Sequence, residues 1–228
     1  MQTTRRLLNG ETLLLDVPDA AALPGSTTIS VLSLDGVELE VNGGSSDDLD
    51  FYLSLSGTSL TEEVRLRGGE PLRCGRYGGD PASGWAFALR VGDHEVYGFT
   101  VPTMDLEELT AHLAQVDAEA DPDGPALRPG GHVSWSTYRT HTVAQVVDLG
   151  AADGYLLDLR RTRSGSTPPE GTSGVQVRGG LLARSSGDER HAYAVLEAPA
   201  FVSYGIPGDQ TDLDVVATSL ASVTTELA

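Results

Sequence analysis

Lysine is missing from this sequence. All 15 basic residues of the 228-residue chain are arginine. Schiff-base chemistry, a Walker-type phosphate loop and a Ser-Lys dyad all require a lysine amino group, so these three mechanisms are excluded. Asparagine and isoleucine are also scarce, a bias that we attribute to a GC-rich genome.

Cysteine pairs and long apolar runs are missing as well. Cys74 is the single cysteine, so no internal disulfide can form and the redox compartment is not constrained. No run of about 18 apolar residues is present, so we expect no membrane insertion. The amino end, with Arg5 and Arg6 close to Glu11, lacks the apolar core of a signal peptide. We expect a cytoplasmic protein from the sequence as written, and an extracytoplasmic one if a leader has been removed.

Positive charge is scarce, since the formal net charge is −18. Nucleic acids and anionic membranes attract clustered positive charge, so the sequence predicts no nucleic-acid partner and no binding to an anionic bilayer. A solvated acidic surface accounts for the charge without any ligand. The alternatives are a basic protein partner and mimicry of nucleic acid.

Abundant glycine and proline predict many short strands joined by turns. Residues 11–17 form a first predicted strand. Residues 29–34 and 37–41 flank Asp35-Gly36, a dipeptide typical of a two-residue type I′ hairpin turn. Residues 51–56 and 62–67 alternate between apolar and polar side chains and predict two further strands.

A longer pattern occurs twice in the chain. In residues 85–116, two strands ending at Val101-Pro102 precede a helix with Leu109 and Leu113 on its apolar stripe. A similar order returns in residues 191–223, with Ile206-Pro207 and then Leu220 on the stripe. Weaker matches pair residues 29–31 with 133–135, 51–55 with 155–159, and 64–69 with 175–180. These matches predict a tandem duplication.

The predicted fold class is therefore α+β, with two tandem β-rich units. Each unit would be an antiparallel sheet with one C-terminal amphipathic helix, and a pseudo-twofold axis would relate the two. Residues 1–118 form the first unit, and residues 132–228 form the second. Residues 119–131, which are rich in acidic residues, proline and glycine, are predicted to be an exposed linker.

In each unit, a strand ends at a proline, Val101-Pro102 or Ile206-Pro207, and a helix with a polar first turn follows. This order resembles the small PsbP/Mog1-type α+β domains and related lipoprotein domains of bacterial envelopes. The resemblance covers only this closing part of each unit. It implies a non-catalytic binding or assembly domain and implies no particular site residue.

Five residues are candidates for ligand binding. Arg67 and Arg178 both precede a Gly-Gly pair at matching places of the two units, where an anionic ligand would be bound; the alternative is a turn with a solvated arginine. Cys74 lies between Arg73 and Arg76, whose positive charge would favour the reactive thiolate. The repeat has no matching cysteine, and no Cys-His motif accompanies it, which favours an inert thiol.

Metal and catalytic motifs do not emerge from the pattern. Asp117, Glu119, Asp121 and Asp123 alternate with small residues, but Pro122 takes the place of the glycine that an EF-hand requires. The five histidines include no pair at metal-ligand spacing. We therefore assign no metal, no cofactor and no catalytic residue.

The function predicted from the sequence is a non-enzymatic binding or assembly protein, built as a fused pseudo-dimer, that binds a protein or a small ligand. The expected partner is a protein, with a basic one favoured by charge, and self-association is an alternative. A structural component of a phage or secretion particle is a second hypothesis. An enzyme with a pocket at the junction of the units, using Cys74 or a histidine, is the third.

Overall fold

The computed structural model describes residues 1–150, 153–162, 174–185 and 192–228, and these residues are mostly β-strand. The described strands, in chain order, are β1 Gln2–Arg6, β2 Thr12–Asp16, β3 Ser26–Leu34, β4 Val37–Gly44, β5 Glu62–Arg65, β6 Pro71–Arg76, β7 Trp85–Val91, β8 His94–Phe99, β9 Val116–Glu119, β10 Ala126–Pro129, β11 Val133–Trp135, β12 Thr142–Gly150, β13 Asp153–Arg161, β14 Val175–Val177, β15 Gly180–Arg184, β16 Ala194–Glu197, β17 Phe201–Pro207 and β18 Thr224–Leu227.

Helices are short and few within these ranges. They are α1 Ser46–Ser56, α2 Leu106–Leu113 and α3 Leu213–Leu220, together with the 3₁₀ turn Tyr77–Gly79. No helix in the described ranges has the length and apolar character needed to cross a membrane.

The chain packs as two compact units. The terminal unit comprises Met1–Arg5, Glu11–Ser26 and Thr142–Ala228, and the central unit comprises Arg6–Gly10 and Thr27–His141. Both chain ends thus belong to one unit. The predicted linker, 119–131, instead lies within the central unit, where β9 and β10 form a hairpin and Leu127 is buried.

In the central unit, an antiparallel sheet has the strand order β3-β4-β8-β7-β6-β5, and β11 pairs with β3. One face packs against α2 and forms the main core, a cluster that includes Leu109 and Leu113 of the helix and Phe87 and Leu72 of the sheet. The other face packs against α1, where Leu49, Tyr52 and Leu53 surround Tyr97. This sheet is therefore covered by a helix on both faces.

In the terminal unit, an antiparallel sheet has the order β12-β13-β17-β16-β15-β14, and a smaller sheet has the order β1-β2-β18. The helix α3 covers one face of the larger sheet with Val216 and Leu220, which are fully buried. Gly205 of β17 lies under this helix, because a Cβ atom there would stand 2.6 Å from Cγ1 of Val216. The close approach of helix and sheet needs the glycine.

The two large sheets share one strand order. We number the six strands of each sheet as they occur along the chain. In both sheets, the order of neighbouring strands is then first, second, sixth, fifth, fourth, third. In both units, a helix follows the sixth strand, α2 after β8 and α3 after β17.

The predicted fold class is nevertheless wrong. The described chain is 49% strand and 14% helical, a mostly β protein rather than two α+β units that each end in a helix. Strands β9, β10 and β11 follow α2, and β18 follows α3. The central unit also contains α1, which the prediction lacked.

Residues 51–56, predicted to be a strand, belong to α1. The Ser45 hydroxyl accepts from the amide of Asp48, and the Asp48 carboxylate accepts from the amide of Ser45, which is a complete capping box. Gly57 ends the helix in the left-handed conformation, at φ 61°. The proposed match of residues 51–55 with 155–159 is consequently wrong, since the second segment lies in strand β13.

Other local predictions agree with the structure. Asp35 and Gly36 have positive φ angles of 49° and 91°, and Leu34 pairs with Val37, as a two-residue I′-type hairpin turn requires. The first predicted strand is β2. The first strand of the second repeat is predicted to start at residue 191, which lies outside the described residues. The strand that the structure describes in this segment is β16.

Candidate functional site

Cys74 is buried in the core of the central unit. It lies on β6 with no exposed surface, on the face that packs against α2. Burial, and secondarily the charge of Glu62, raises the pKa of its thiol to about 12. Successive strand residues point to opposite faces, so Arg73 and Arg76 cannot both lie beside the sulfur, and the thiolate predicted from sequence proximity is not favoured.

Arg73 binds a buried carboxylate. Its Nη2 lies 2.8 Å from Oε2 of Glu95, on the sheet face opposite Cys74. Arg76 is also engaged within the protein: its guanidinium carbon lies 3.8 Å from the centre of the Trp85 ring, and Nη1 donates to the carbonyl of Ser83 at 2.8 Å. Both arginines therefore have structural partners.

Arg67 and Arg178 lie in comparable hairpin turns. Arg178 follows β14 and forms an exposed ion pair with Asp16 at 3.4 Å. Arg67 follows β5 and lines a groove of about 750 Å³ in the central unit. Arg90 lines the same groove, but so do Glu70 and Asp117, so the formal charges of the lining cancel. This groove has no net attraction for an anion.

The acidic stretch after α2 makes contacts within the protein. Arg6 forms ion pairs with Asp121 and Glu119, and Arg128 bonds to Glu119 as well. The amide of Asp123, and secondarily Arg6, lowers the pKa of Asp121. Nε2 of His94, one of the five histidines, lies 3.0 Å from the carbonyl oxygen of Asp121. Among the described residues, no group of three or more histidine, cysteine, aspartate or glutamate side chains is arranged to hold a metal ion.

The terminal unit presents an exposed apolar row on its large sheet. Val146 pairs with Leu156, and Leu156 pairs with Ile206, so the three side chains stand side by side across β12, β13 and β17. They are 45%, 38% and 40% exposed. Their chain neighbours Val147 and Leu157 are fully buried on the other face, towards α3. We call Val146, Leu156 and Ile206 the apolar row.

Aromatic and charged groups continue this face beside the apolar row. Tyr204 lies two residues before Ile206 on β17, and its ring is 5.7 Å from the ring of Tyr193. The guanidinium carbon of Arg160 lies 4.6 Å from the centre of the Tyr204 ring, while its Nη2 donates to Asp158 at 2.7 Å. The only described arginine positioned on this part of the face is thus already paired.

A groove of about 680 Å³ runs alongside the apolar row. The row lines it together with Pro24, Tyr155 and Pro207. Three carboxylates, Asp148, Asp153 and Asp209, also line the groove, and no arginine or histidine occurs among the described residues around it. The groove therefore combines an apolar floor with an acidic rim.

The corresponding face of the central unit is covered. There, Tyr52 of α1 stacks on Phe99 of β8 at 4.5 Å and lies 4.9 Å from the ring of Tyr97. In the terminal unit, no described helix covers the face opposite α3. This difference makes the apolar row, with its acidic groove, the candidate functional site.

Sequence reasoning did not find this site, although a signal exists. Val146-Val147 and Leu156-Leu157 are apolar at consecutive positions, a pattern typical of strands whose two faces are both covered. In a strand with one wet face, every second residue would be polar. The consecutive pairs thus indicate a second covered face on β12 and β13.

Comparisons with family models, with curated proteins and with solved structures find no match to this chain. The resemblance to PsbP/Mog1-type domains accordingly stays a prediction, and the function must be argued from the site itself.

Proposed function

We propose that this protein is a non-enzymatic binding or assembly protein whose docking surface is the apolar row and the acidic groove beside it. The single observation that carries the proposal is the row itself. Three large aliphatic side chains, each more than a third exposed, stand in one line on three paired strands. A clustered apolar surface with a polar rim is typical of a protein-binding surface.

Burial supports the same reading. Removing apolar surface from water contributes about 25 cal/mol per Å². A partner that covers Val146, Leu156 and Ile206 would gain this energy without reorganising the sheet, because the backbone groups of β13 already bond to β12 and β17. The surface is thus rigid before binding, which lowers the entropic cost of association.

The candidate catalytic groups do not assemble around this surface. In the part of the chain that the structure describes, Cys74 is buried in the central unit and His94 contacts a backbone carbonyl there. Binding therefore accounts for the described geometry better than catalysis. A structural component of a larger particle would use the same surface in the same manner.

Affinity capture with surface variants tests the proposal. The full chain, immobilised, would be exposed to an extract of its native host alongside the variants Leu156→Asp and Leu55→Asp. Leu55 lies on the outer side of α1, is 72% exposed and serves as the matched control. Proteins captured by the wild-type chain and by Leu55→Asp, but not by Leu156→Asp, would then be produced alone and their affinities measured.

We expect at least one such protein to bind the wild-type chain at least roughly tenfold more tightly than Leu156→Asp, a difference of about 1.4 kcal/mol. If binding of the captured protein were lost only with Leu55→Asp, the docking surface would lie on α1 and the proposal would be overturned. Capture that is equal for all three proteins would also overturn it. Sedimentation of the wild-type chain and Leu156→Asp would identify a second copy of the chain as the partner.

A further inference from the structure

We infer that the occupant of the apolar row is an amphipathic α-helix that carries basic side chains, supplied by the partner. This inference rests on the proposed function, since it names the partner chemistry of the same surface. It is drawn from the comparison of the two sheets, from the width of the row and from the charge of the groove.

The central unit provides an internal precedent. Both large sheets have the same strand order, and in each the helix after the sixth strand covers one face. On the opposite face of the central sheet lies α1, an amphipathic helix that directs Leu49, Tyr52 and Leu53 towards Tyr97. The apolar row lies on the same face of the terminal sheet. The helix α1 lies over β7 and β8, at Ala88, Tyr97 and Phe99, whereas Val101, which matches Ile206, is 39% exposed. The precedent therefore concerns this face of the sheet: it is a face on which an amphipathic helix packs.

Aromatic residues on the two sixth strands support the equivalence. Phe99 of β8 lies three residues before Pro102, and Tyr204 of β17 lies three residues before Pro207. Phe99 stacks on Tyr52 of α1, at 4.5 Å between ring centres. Tyr204 is half-buried against Arg160 and Tyr193 and has no helix residue upon it among those described.

The width of the row fits a helix, and the backbone pairing of its strands excludes the addition of another strand. Neighbouring strands lie about 4.8 Å apart, so the three side chains span about 10 Å, close to the 10–12 Å diameter of a helix with its side chains. A strand would need free backbone groups to pair with. Those of β13 bond to β12 and β17, and those of β17 bond to β13 and β16. The partner must therefore bind through side chains.

Charge specifies the polar side of the helix. Asp148, Asp153 and Asp209 line the groove beside the row, and Arg160, four residues from Leu156 along β13, is paired with Asp158. A helix with lysine or arginine beside its apolar stripe would place cations near the three carboxylates. Such pairs set the orientation and the association rate of a complex more than its affinity.

A synthetic peptide tests the inference directly. The probe is a fluorescein-labelled peptide of about 14 residues, made only of leucine and lysine, with leucine at i, i+3, i+4 and i+7. We expect its anisotropy to report binding to the full chain, and Leu156→Asp to weaken this binding at least roughly tenfold. Because that substitution adds a negative charge, non-specific attraction of the cationic peptide would change in the opposite direction.

Control proteins locate the binding surface. Leu55→Asp carries the same added charge on α1 and should bind the peptide within about twofold of wild type. Val146→Asp, a second change on the row, should behave as Leu156→Asp does, and circular dichroism would establish that each variant is folded. Equal binding by the wild-type chain and both row variants would overturn the inference.

Control peptides identify the chemistry of the occupant. A peptide of the same composition with D-residues at several positions cannot form a continuous helix, and a leucine-glutamate peptide reverses the charge. We expect both to bind at least roughly tenfold more weakly than the leucine-lysine helix. Equal binding of the D-residue peptide would overturn the helix, and equal binding of the acidic peptide would overturn the basic charge.

The two proposals fail in different ways. If a captured native partner depends on Leu156 but binds through an extended or folded surface, and the helical peptide does not bind, the inference fails while the proposed function stands. If neither the native partner nor the peptide depends on Leu156, the proposed function fails as well.

Discussion

The guanidinium of Arg73 and the carboxylate of Glu95 form an ion pair on the α1 face of the central sheet, with 2.8 Å between Nη2 and Oε2. Glu95 is only 3% exposed, whereas Arg73 reaches solvent along part of its length. A buried carboxylate without a partner is costly, so Arg73 is required where it lies. This pairing explains an arginine that the sequence alone presented as a candidate ligand.

Replacing Arg73 by methionine should therefore destabilise the protein. Because the side chain of Arg73 is 41% exposed and the pair is partly screened, we expect a loss of about 1–3 kcal/mol in the free energy of unfolding. Glu95→Gln in the Arg73→Met background should recover part of this loss, since it removes the unpaired charge. Urea unfolding of both single variants and the double variant measures the coupling. An Arg73→Met variant with the same free energy of unfolding as the wild-type chain would contradict the assignment.

The capping box of α1 predicts a second effect. Ser45→Ala removes the hydroxyl that accepts from the amide of Asp48, and should cost about 1 kcal/mol of unfolding free energy. Ser54→Ala is the matched control, because Ser54 lies within the same helix and its hydroxyl donates to the carbonyl of Phe51 rather than capping the helix start. The two midpoints in urea should differ clearly. Equal midpoints would mean that the cap does not stabilise α1.

The buried thiol of Cys74 predicts a reactivity and a pH dependence. In the folded protein, Ellman's reagent should not react at neutral pH, and one thiol should react after unfolding in urea. The folded pKa of about 12 exceeds the ordinary value of 9.0. Above pH 9 the unfolded chain loses a proton that the folded chain keeps, so stability should fall as pH rises from 9 towards 12.

Cys74→Ala isolates this contribution of the thiol. Its stability should fall less steeply above pH 9 than that of the wild-type chain, by up to about 1.4 kcal/mol per pH unit. Both proteins share the tyrosines, including Tyr97, whose pKa burial raises to about 12. Parallel stability curves for the two proteins, or fast labelling of native Cys74, would show that the thiol is accessible.

The helices that follow the sixth strands should each contribute through one buried leucine. Leu109 of α2 and Leu220 of α3 are fully buried, so Leu109→Ala and Leu220→Ala should each cost about 2–5 kcal/mol. Val215→Ala, on the outer side of α3, should cost less than about 1 kcal/mol. Thermal and urea unfolding provide the measurement. A loss below 1 kcal/mol for either leucine would contradict its packing against the sheet.

Local patterns predicted several elements because the relevant interactions are local. The turn at Asp35-Gly36 depends on two residues that tolerate positive φ, and the apolar stripes of α2 and α3 depend on spacings of three and four residues. These features could be identified from a few neighbouring positions. Strands β2 and β7 were predicted for the same reason.

Two segments of the chain differ from what their local patterns suggest. Phe51, Leu53 and Leu55 alternate with polar residues as in a strand, yet the capping box at Ser45 and packing against Tyr97 stabilise a helix. The 119–131 segment reads as a polar linker, yet Leu127 is buried in the core of the central unit. In the first case a local cap and a tertiary contact together outweigh the alternating pattern, and in the second case tertiary packing buries an apolar residue within a polar stretch.

By itself, the sequence determined the absence of lysine chemistry, the acidic charge and the location of the turns and apolar stripes. It also contains Val146, Leu156 and Ile206, but each of them reads as an ordinary strand residue. Only the tertiary structure placed these three side chains in one row, because the pairing register of β12, β13 and β17 decides which residues become neighbours. Register is a long-range property: a slip of one residue would turn Leu156 inward, and the proposed docking surface would not exist.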